Sequence, residues 1–528
     1  MHTASRILTT AILAALSTGA LAAGPAERAL GHLRANGAIA KAAPGDAFIA
    51  KSVTIDADGS SHVRFNRTHQ GLPMIGGDLV VHQDRNGGFR APSMGLKSPA
   101  KVDIRERLSA EDAFVIAGVD FGQFDGIGTS RKVVFARNAT PALAWDVVLH
   151  GTRGGDPVVM HYFIDAHSGR ILDRENEFHT AKPGGGGGGS TTPATGIGRT
   201  YAYGDVILNI AGSGSSYSLT DTTRGGGATY DANNVSYTTA ARRAVLFTST
   251  TTTFGNNLLS NRATSAADAH FGVAATWDYF KNIHGRNGIF NNGVGAKSYV
   301  HVGNNWGNAA WYQNAMYYGD ASGGYLPFTA IDIAGHEMSH GVTQATSGLA
   351  YSGDAGGLNE ATSDIFGTMV EYAAANGNDP GDYLIGEGIY PDSTSALRYM
   401  YDPNSDGNYS YDCYPAAGFG GVDPHYSSGP ANHFYYLLAE GTSPAGGPTS
   451  NTCIAGNAKN ATGNGSLAGI GRAKAEKIWY RALDVYFTSG TTYPQARTAT
   501  LNAAADLYGA ASPERAAVAA AWTAINVN

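Results

Sequence analysis

Ile331-Asp332-Ile333-Ala334-Gly335-His336-Glu337-Met338-Ser339-His340 is the stretch from which the rest of the chain can be read. His336 and His340 stand four residues apart. On an α-helix such positions share a face, one turn apart, so both imidazoles can reach one metal ion. Glu337 lies beside the first histidine and can face a water held there, which is the HExxH pattern of two zinc ligands and a general base. Catalytic zinc takes three protein ligands and keeps one position open, so a third ligand is needed from elsewhere. Gly357-Leu358-Asn359-Glu360-Ala361-Thr362-Ser363-Asp364 offers it. Glu360 follows His340 by 20 residues, room for a turn and the start of a second helix. Asp364 is one turn beyond Glu360 and can accept the second N–H of a ligating histidine.

With HExxH followed by NExxSD, the sequence resembles the thermolysin-like metalloproteases, the M4 peptidases, from about Gly196 to the C-terminus. Asn308-Ala309-Ala310-Trp311 and Tyr317-Tyr318-Gly319-Asp320 belong to the nearest stretches. Asp423-Pro424-His425-Tyr426-Ser427-Ser428-Gly429, followed by Tyr436-Leu437-Leu438, looks most like the pseudolysin and vibriolysin branch. The resemblance implies roles residue by residue. His336, His340 and Glu360 match the zinc ligands, Glu337 the base that activates water, and Asp364 the carboxylate behind a ligand. His425 and Tyr351 match the pair that stabilises the oxyanion, with Asp423 orienting His425. Arg398 matches the residue that holds the substrate backbone, and Asn308 and Ala309 the edge segment that pairs with an extended peptide. Ile333, Ile385 and Leu397 fall where the family lines an apolar pocket, which implies a preference for bulky hydrophobic residues on the amine side of the cut. Asp332, Glu371, Asp382 and Glu387 match a calcium site of hard oxygen ligands. Leu384 stands where the doubled version of that site has another carboxylate, so at least one calcium is expected, with the Leu384 carbonyl contributing.

The implied fold class is α+β: a two-lobed thermolysin-like fold preceded by an α+β prosegment. The β-rich N-terminal lobe, with the zinc helix, spans 196–343 and the helical lobe 344–528. The stretches 431–440, 472–487, 493–508 and 513–525 have helical apolar spacing. Residues 196 to about 320 are rich in Thr, Tyr and Val between Gly/Asn turns, which reads as strands.

Outward from this core, the composition changes. The chain has 528 residues, room for two to four domains, and 43% are apolar. Among the first 180 residues there is a single tyrosine, Tyr162, out of 28. Up to residue 180 there are 19 basic and 18 acidic residues; beyond it, 17 and 25. The overall charge of −7 gives no reason to expect nucleic-acid binding. Arg6, an apolar run from Ile7 to Leu16 and Ala20-Leu21-Ala22-Ala23 read as a secretory signal peptide over 1–23. No other apolar run approaches the roughly 20 residues of a membrane span, so a secreted protein is expected. In that setting Cys413 and Cys453, the two cysteines of the chain, are free to form a disulfide. Closing so long a loop contributes roughly 4 kcal/mol in the chain-entropy treatment.

Residues 24–180 alternate strand-like runs such as Leu79-Val80-Val81-His82 with turns, and 106–117 has the spacing of a helix. Gln70-Gly71-Leu72-Pro73-Met74-Ile75-Gly76-Gly77-Asp78 resembles the fungalysin/thermolysin propeptide module, about 46–97, and the stretch of about 105–178 the PepSY module. Six glycines, 184–189, mark a flexible junction over 181–195, and the resemblance implies a maturation cut between about 179 and 195. Together these readings describe a zinc metalloendopeptidase made as a preproenzyme, with protein or peptide substrates. Its prosegment is expected to assist folding and to act as an intramolecular inhibitor, and the mature form to be a monomer. Two other readings share the pattern: an inactive exported binding protein on the same fold, and a zinc aminopeptidase.

Overall fold

The computed structural model describes residues 24–153, 156–177, 192–320, 324–392 and 394–528. The signal-like start and the six-glycine junction lie outside the described residues. In the first part of the chain nine strands form one sheet. Its order runs Ser93–Met94, Leu79–Gln83, Ser61–His69, Leu72–Ile75, Phe124–Phe135, Ala142–Arg153, Asp156–Asp165 and Ile171–Asn176, with Asp46–Ile55 added against Ser61–His69. The two stretches that resemble separate modules are thus joined by backbone pairing, Met74 with Val134 and Ile75 with Phe135, in parallel. The helix expected over 106–117 runs over Ala110–Phe121 instead. Ser109 sets its start, accepting the Asp112 N–H at 3.1 Å while Asp112 accepts the Ser109 N–H at 3.0 Å, a capping box.

Beyond residue 192 come a five-stranded and a six-stranded sheet. The edge strand of the second is Ala309–Tyr312, which among the described residues pairs with the strand Ala315–Gly319. Between the sheets runs a helix of 23 residues, Arg262–His284, that the strand-like reading of this region passed over. Ala266, Ala267 and Ala269 are all buried, as are Trp277, Tyr279 and Phe280. A helix buried on nearly every side shows no apolar stripe in its sequence. The C-terminal lobe is helical, with Gly429–Ala439, Arg472–Arg481, Tyr493–Tyr508 and Pro513–Ala524. The run expected over 472–487 widens into a π-helical turn at Ala482–Tyr486. Arg64 of the first part caps that turn, donating to the carbonyls of Asp484 at 3.2 Å and Phe487 at 2.8 Å. Cys413 and Cys453 form a disulfide with Cα atoms 5.9 Å apart.

One hydrophobic core runs through both lobes, from Tyr203 to Val527. At its centre the helix Ile331–Ala345 crosses Gly353–Ala374, and residues 331–343 of the first are all buried. The crossing is close because glycine faces glycine. A β-carbon on Gly335 would come within 2.9 Å of Gly367 Cα, and one on Gly367 within 2.5 Å of the Asp332 carbonyl oxygen. Glycine inside a helix costs about 1 kcal/mol against alanine, so its presence at both positions answers to this contact. Gly367→Ala must push the helices apart and is expected to destabilise the protein by about 1–3 kcal/mol. Thermal unfolding measures this, and an unchanged midpoint contradicts the contact.

Candidate active site

The crossing helices bring the sequence-predicted ligands together. His336 Nε2 and His340 Nε2 lie 3.0 Å apart. Glu360 reaches both, its Oε2 3.4 Å from His336 Nε2 and its Oε1 3.3 Å from His340 Nε2. The tautomers follow from the other ring nitrogens. His336 Nδ1 lies 2.8 Å from Asp364 Oδ1, and a carboxylate only accepts. His340 Nδ1 lies 2.8 Å from Asn359 Oδ1, whose amide nitrogen is already committed to the Leu349 carbonyl at 2.8 Å. Both Nδ1 atoms therefore donate, which leaves the two Nε2 atoms facing one another beside a buried carboxylate. Among the described residues Glu360 Oε2 has no hydrogen-bond partner, nor does Glu337 Oε2. Such a donor set, two imidazoles and a carboxylate, fits zinc.

Charges around the ligands are fixed by geometry. Burial pushes the Asp364 carboxyl up, but Arg398 and His336 outweigh it and hold it below the usual range. Arg398 forks onto Asp364, Nε to Oδ2 at 2.9 Å and Nη2 to Oδ1 at 2.6 Å, and Asn432 Nδ2 donates to Oδ2 at 2.8 Å. Burial likewise opposes ionisation of Glu360, and His425, His336 and His340 together pull it well below its ordinary value. The Tyr351 hydroxyl donates to Glu360 and lies 3.4 Å from His425 Nε2. Burial first, then Glu360, keep Tyr351 protonated. His425 Nδ1 lies 2.7 Å from Asp423 Oδ1. Desolvation lowers His425, but Glu360 and Asp423 raise it to about 9, so it donates at neutral pH. Asn308 and Ala309 line the same cleft as His336 and Glu337. Ile333 and Ile385 are buried, and Leu397 packs against the same core.

The first part of the chain roofs this cleft, leaving a cavity of about 1130 Å³. Glu175 Oε1 accepts the backbone N–H of Tyr351 at 3.0 Å, and Asp173 Oδ2 accepts the Ser352 hydroxyl at 3.1 Å. Arg137 holds both carboxylates, at 3.1 Å from Asp173 and 2.9 Å from Glu175.

A second charged cluster spans the same two helices. Glu371, Asp379 and Glu387 lie close enough to hold one ion. Asp332 accepts the Gly386 N–H at 2.5 Å, and Asp382 is tied in by its N–H to Glu371 Oε2 at 3.1 Å. Leu384 donates its N–H to Asp382 Oδ1 at 2.7 Å. Burial, then mutual repulsion, raise Asp332 to about 7, Asp379 to about 6 and Glu387 to about 9. Asp332 Oδ1, Glu371 Oε1 and Glu387 Oε2 have no hydrogen-bond partner among the described residues. Crowded hard oxygens of this kind fit calcium. Sequence reading missed Asp379, whose signal was its place three residues before Asp382, and left Asn359 and Asn432 without a role.

These features define a metal-dependent hydrolase with a covered cleft. The chain matches the thermolysin metallopeptidase catalytic domain over 195–344, the alpha-helical domain of thermolysin metallopeptidases over 347–527 and the fungalysin/thermolysin propeptide motif over 46–91. It is 43% identical to a transglutaminase-activating metalloprotease of Streptomyces mobaraensis, over 91% of this chain and 61% of the length of that protein. It is 35% identical to thermolysin of Bacillus sp. strain EA1, over 89% of this chain and 84% of that one. Among solved structures, the precursor of protealysin from Serratia proteamaculans is 25% identical, covering 57% of this chain and 87% of that one with a TM-score of 0.42. The chain belongs to the thermolysin family of metallopeptidases and is a zinc metalloendopeptidase with a propeptide. The family uses catalytic zinc and calcium, and the two clusters are where this chain carries suitable ligands.

Depleting calcium with a calcium-selective chelator is expected to lower the thermal midpoint of the processed enzyme. Asp379→Asn should need more calcium to reach the same midpoint. If neither the depletion nor the substitution moves the midpoint, the cluster does not hold the ion.

Proposed function

We propose that His336, His340 and Glu360 hold the zinc and that Glu337 is the general base. When bound, zinc supplies Lewis acidity to water and to the scissile carbonyl. Glu337 accepts the water proton at its unpaired Oε2 and passes it to the leaving amine. His425 Nε2 and the Tyr351 hydroxyl, 3.4 Å apart, donate to the same substrate oxygen as it gains charge. Asp423 keeps the His425 ring in the donating orientation. The substrate chain lies extended along the edge strand Ala309–Tyr312, adding a strand beside Asn308 and Ala309. Arg398 holds its backbone. Ile333, Ile385 and Leu397 accept a bulky hydrophobic residue on the amine side of the cut. Supporting the whole reading is one observation: three ligand groups, a base and two donors converge on one side of a covered cleft.

Residues 24–180 act as the prosegment, exported behind a signal peptide over 1–23 and removed by a cut within about 179–195. No helix among the described residues is long and apolar enough to cross a membrane. The Glu175 and Asp173 contacts with Tyr351 and Ser352 support a latent precursor, because they occupy a catalytic tyrosine's backbone and close the cleft. The mature enzyme acts as a secreted monomer. The Asp423-Pro424-His425 spacing supports a place nearer the pseudolysin and vibriolysin branch.

The processed protein is expected to hydrolyse casein, and a zinc chelator or Glu337→Gln to abolish it while the fold persists. Cleavage mapping on a peptide library should show bulky hydrophobic residues after the cut; a charged preference there overturns the pocket assignment. The precursor carrying Glu175→Gln should process faster and show more activity before processing than the native precursor. Equal latency in the two would remove Glu175 from the inhibitory contact.

A further inference from the structure

Outside the cleft, the first part of the chain rests on the C-terminal lobe through a polar seam. Arg481 donates to both oxygens of Asp56, at 2.6 and 2.8 Å, and to Asp506 at 2.8 Å. Lys51 reaches the Gln344 carbonyl at 3.2 Å, and the Ser489 N–H donates to Asp78 at 3.0 Å. Two histidines lie in the middle of this seam. His62 and His82 are directly paired across the strands Ser61–His69 and Leu79–Gln83. Both are buried, and their Nδ1 atoms are 2.7 Å apart. His62 Nε2 lies 2.9 Å from Asp56 Oδ2 and 3.1 Å from Arg481 Nη2. His82 Nε2 lies 2.8 Å from Ser93 Oγ, and its ring packs 5.0 Å from that of Tyr486 on the enzyme side.

A contact of 2.7 Å between two ring nitrogens has room for one hydrogen, donated by one ring and accepted by the other. If both rings are charged, two N–H groups point at each other and the contact must open. The surroundings give the second proton no help. Asp56 is the nearest carboxylate and already takes both bonds from Arg481. Asp506 is engaged with Arg481 and Tyr486, and Asp484 with Thr54. Arg64 and Arg90 add positive charge near His82, while Ser93 and Tyr486 are neutral. Burial first, then His62 and Arg481, lower His82 to about 3.

We propose that the His62–His82 pair is an acid-sensitive latch, holding the prosegment on the C-terminal lobe near neutral pH and loosening it in an acid medium. This rests on the reading of 24–180 as a prosegment. The docked His82 binds its proton more weakly than an exposed histidine, whose ordinary value is about 6.5. Docking is therefore at full strength above about 6.5 and is lost progressively as pH falls from there toward 3. Uptake of one proton weakens the docked state by up to about tenfold per pH unit in that window. The seam differs from the Glu175 contact at the cleft, so acid loosens the grip at a place the catalytic groups do not touch.

The test uses the full chain carrying Glu337→Gln, which cannot cut itself. Hydrogen exchange of the Ser489 amide and its neighbours, corrected for intrinsic rates, is followed at about pH 7, 6 and 5. With both histidines present, opening should increase by up to about tenfold per unit below about pH 6.5. With His82→Gln it should be flat. If that variant does not fold, His82→Asn, which keeps an amide near the Nδ1 position, takes its place. Equal slopes with and without His82, or no slope in the native seam, overturn the latch. Because the background is already without its base, neither result bears on whether the protein is a protease.

Discussion

Two buried helices meet backbone to backbone at Gly335 and Gly367, and both charged clusters straddle that contact. On the first helix Asp332, His336 and His340 follow one another at one-turn spacing. On the second, Glu360 and Asp364 do the same, with Glu371 two turns further on. Because the backbones touch, short side chains are enough to bridge between them. Asp364 reaches His336, Glu360 reaches both histidines, and Glu371 joins Asp332 at the other end. A β-carbon at either glycine would hold the helices apart and put the ligands out of step with each other. The two clusters therefore share one structural dependence, although their chemistry differs: borderline imidazoles and a single carboxylate at one end, crowded hard carboxylates at the other.

The first part of the chain uses a complementary strategy. It covers the cleft with carboxylates, Asp173 and Glu175, that are bridged by Arg137. It fixes itself elsewhere through Lys51 and Arg64, which donate to backbone carbonyls of the C-terminal lobe, and through Asp56, which accepts from Arg481 of that lobe. Valines 148 and 159 add apolar contact with tyrosines 237 and 312 of the six-stranded sheet region. Polar seams of this kind bind strongly only while every partner keeps its protonation state. An apolar interface would offer no such sensitivity. The enzyme lobes, by contrast, are held together by one continuous apolar core and do not depend on the seam.

Much of the site was legible because its residues sit at fixed spacings on regular elements. HExxH and NExxSD each place ligands by helical period alone, and the structure brings His336, His340, Glu360 and Asp364 together at the expected spot. Other members were invisible for physical reasons. Asp379 lies in an irregular turn, where no period says which way a side chain faces. Asn359 stands beside Glu360 in the quoted motif, yet only the fold shows its amide holding His340 Nδ1. Asn432 reaches Asp364 from a helix 68 residues further along the chain. The helix Arg262–His284 escaped because burial all round erases the stripe that marks a helix in sequence.

By itself the sequence determined the chemistry: which residues could bind zinc, which could move a proton, and where composition changes from prosegment to enzyme. Those properties are set by residue type and by spacing within one element. Only the tertiary structure decided how the parts meet. It joined the strands on either side of residue 100 into one sheet through Met74 and Ile75, and brought Glu175 to Tyr351 across 176 positions of chain. It set His62 against both His82 and Arg481. Contacts between distant segments depend on packing and on close approach at particular glycines, and no local period in the sequence encodes them.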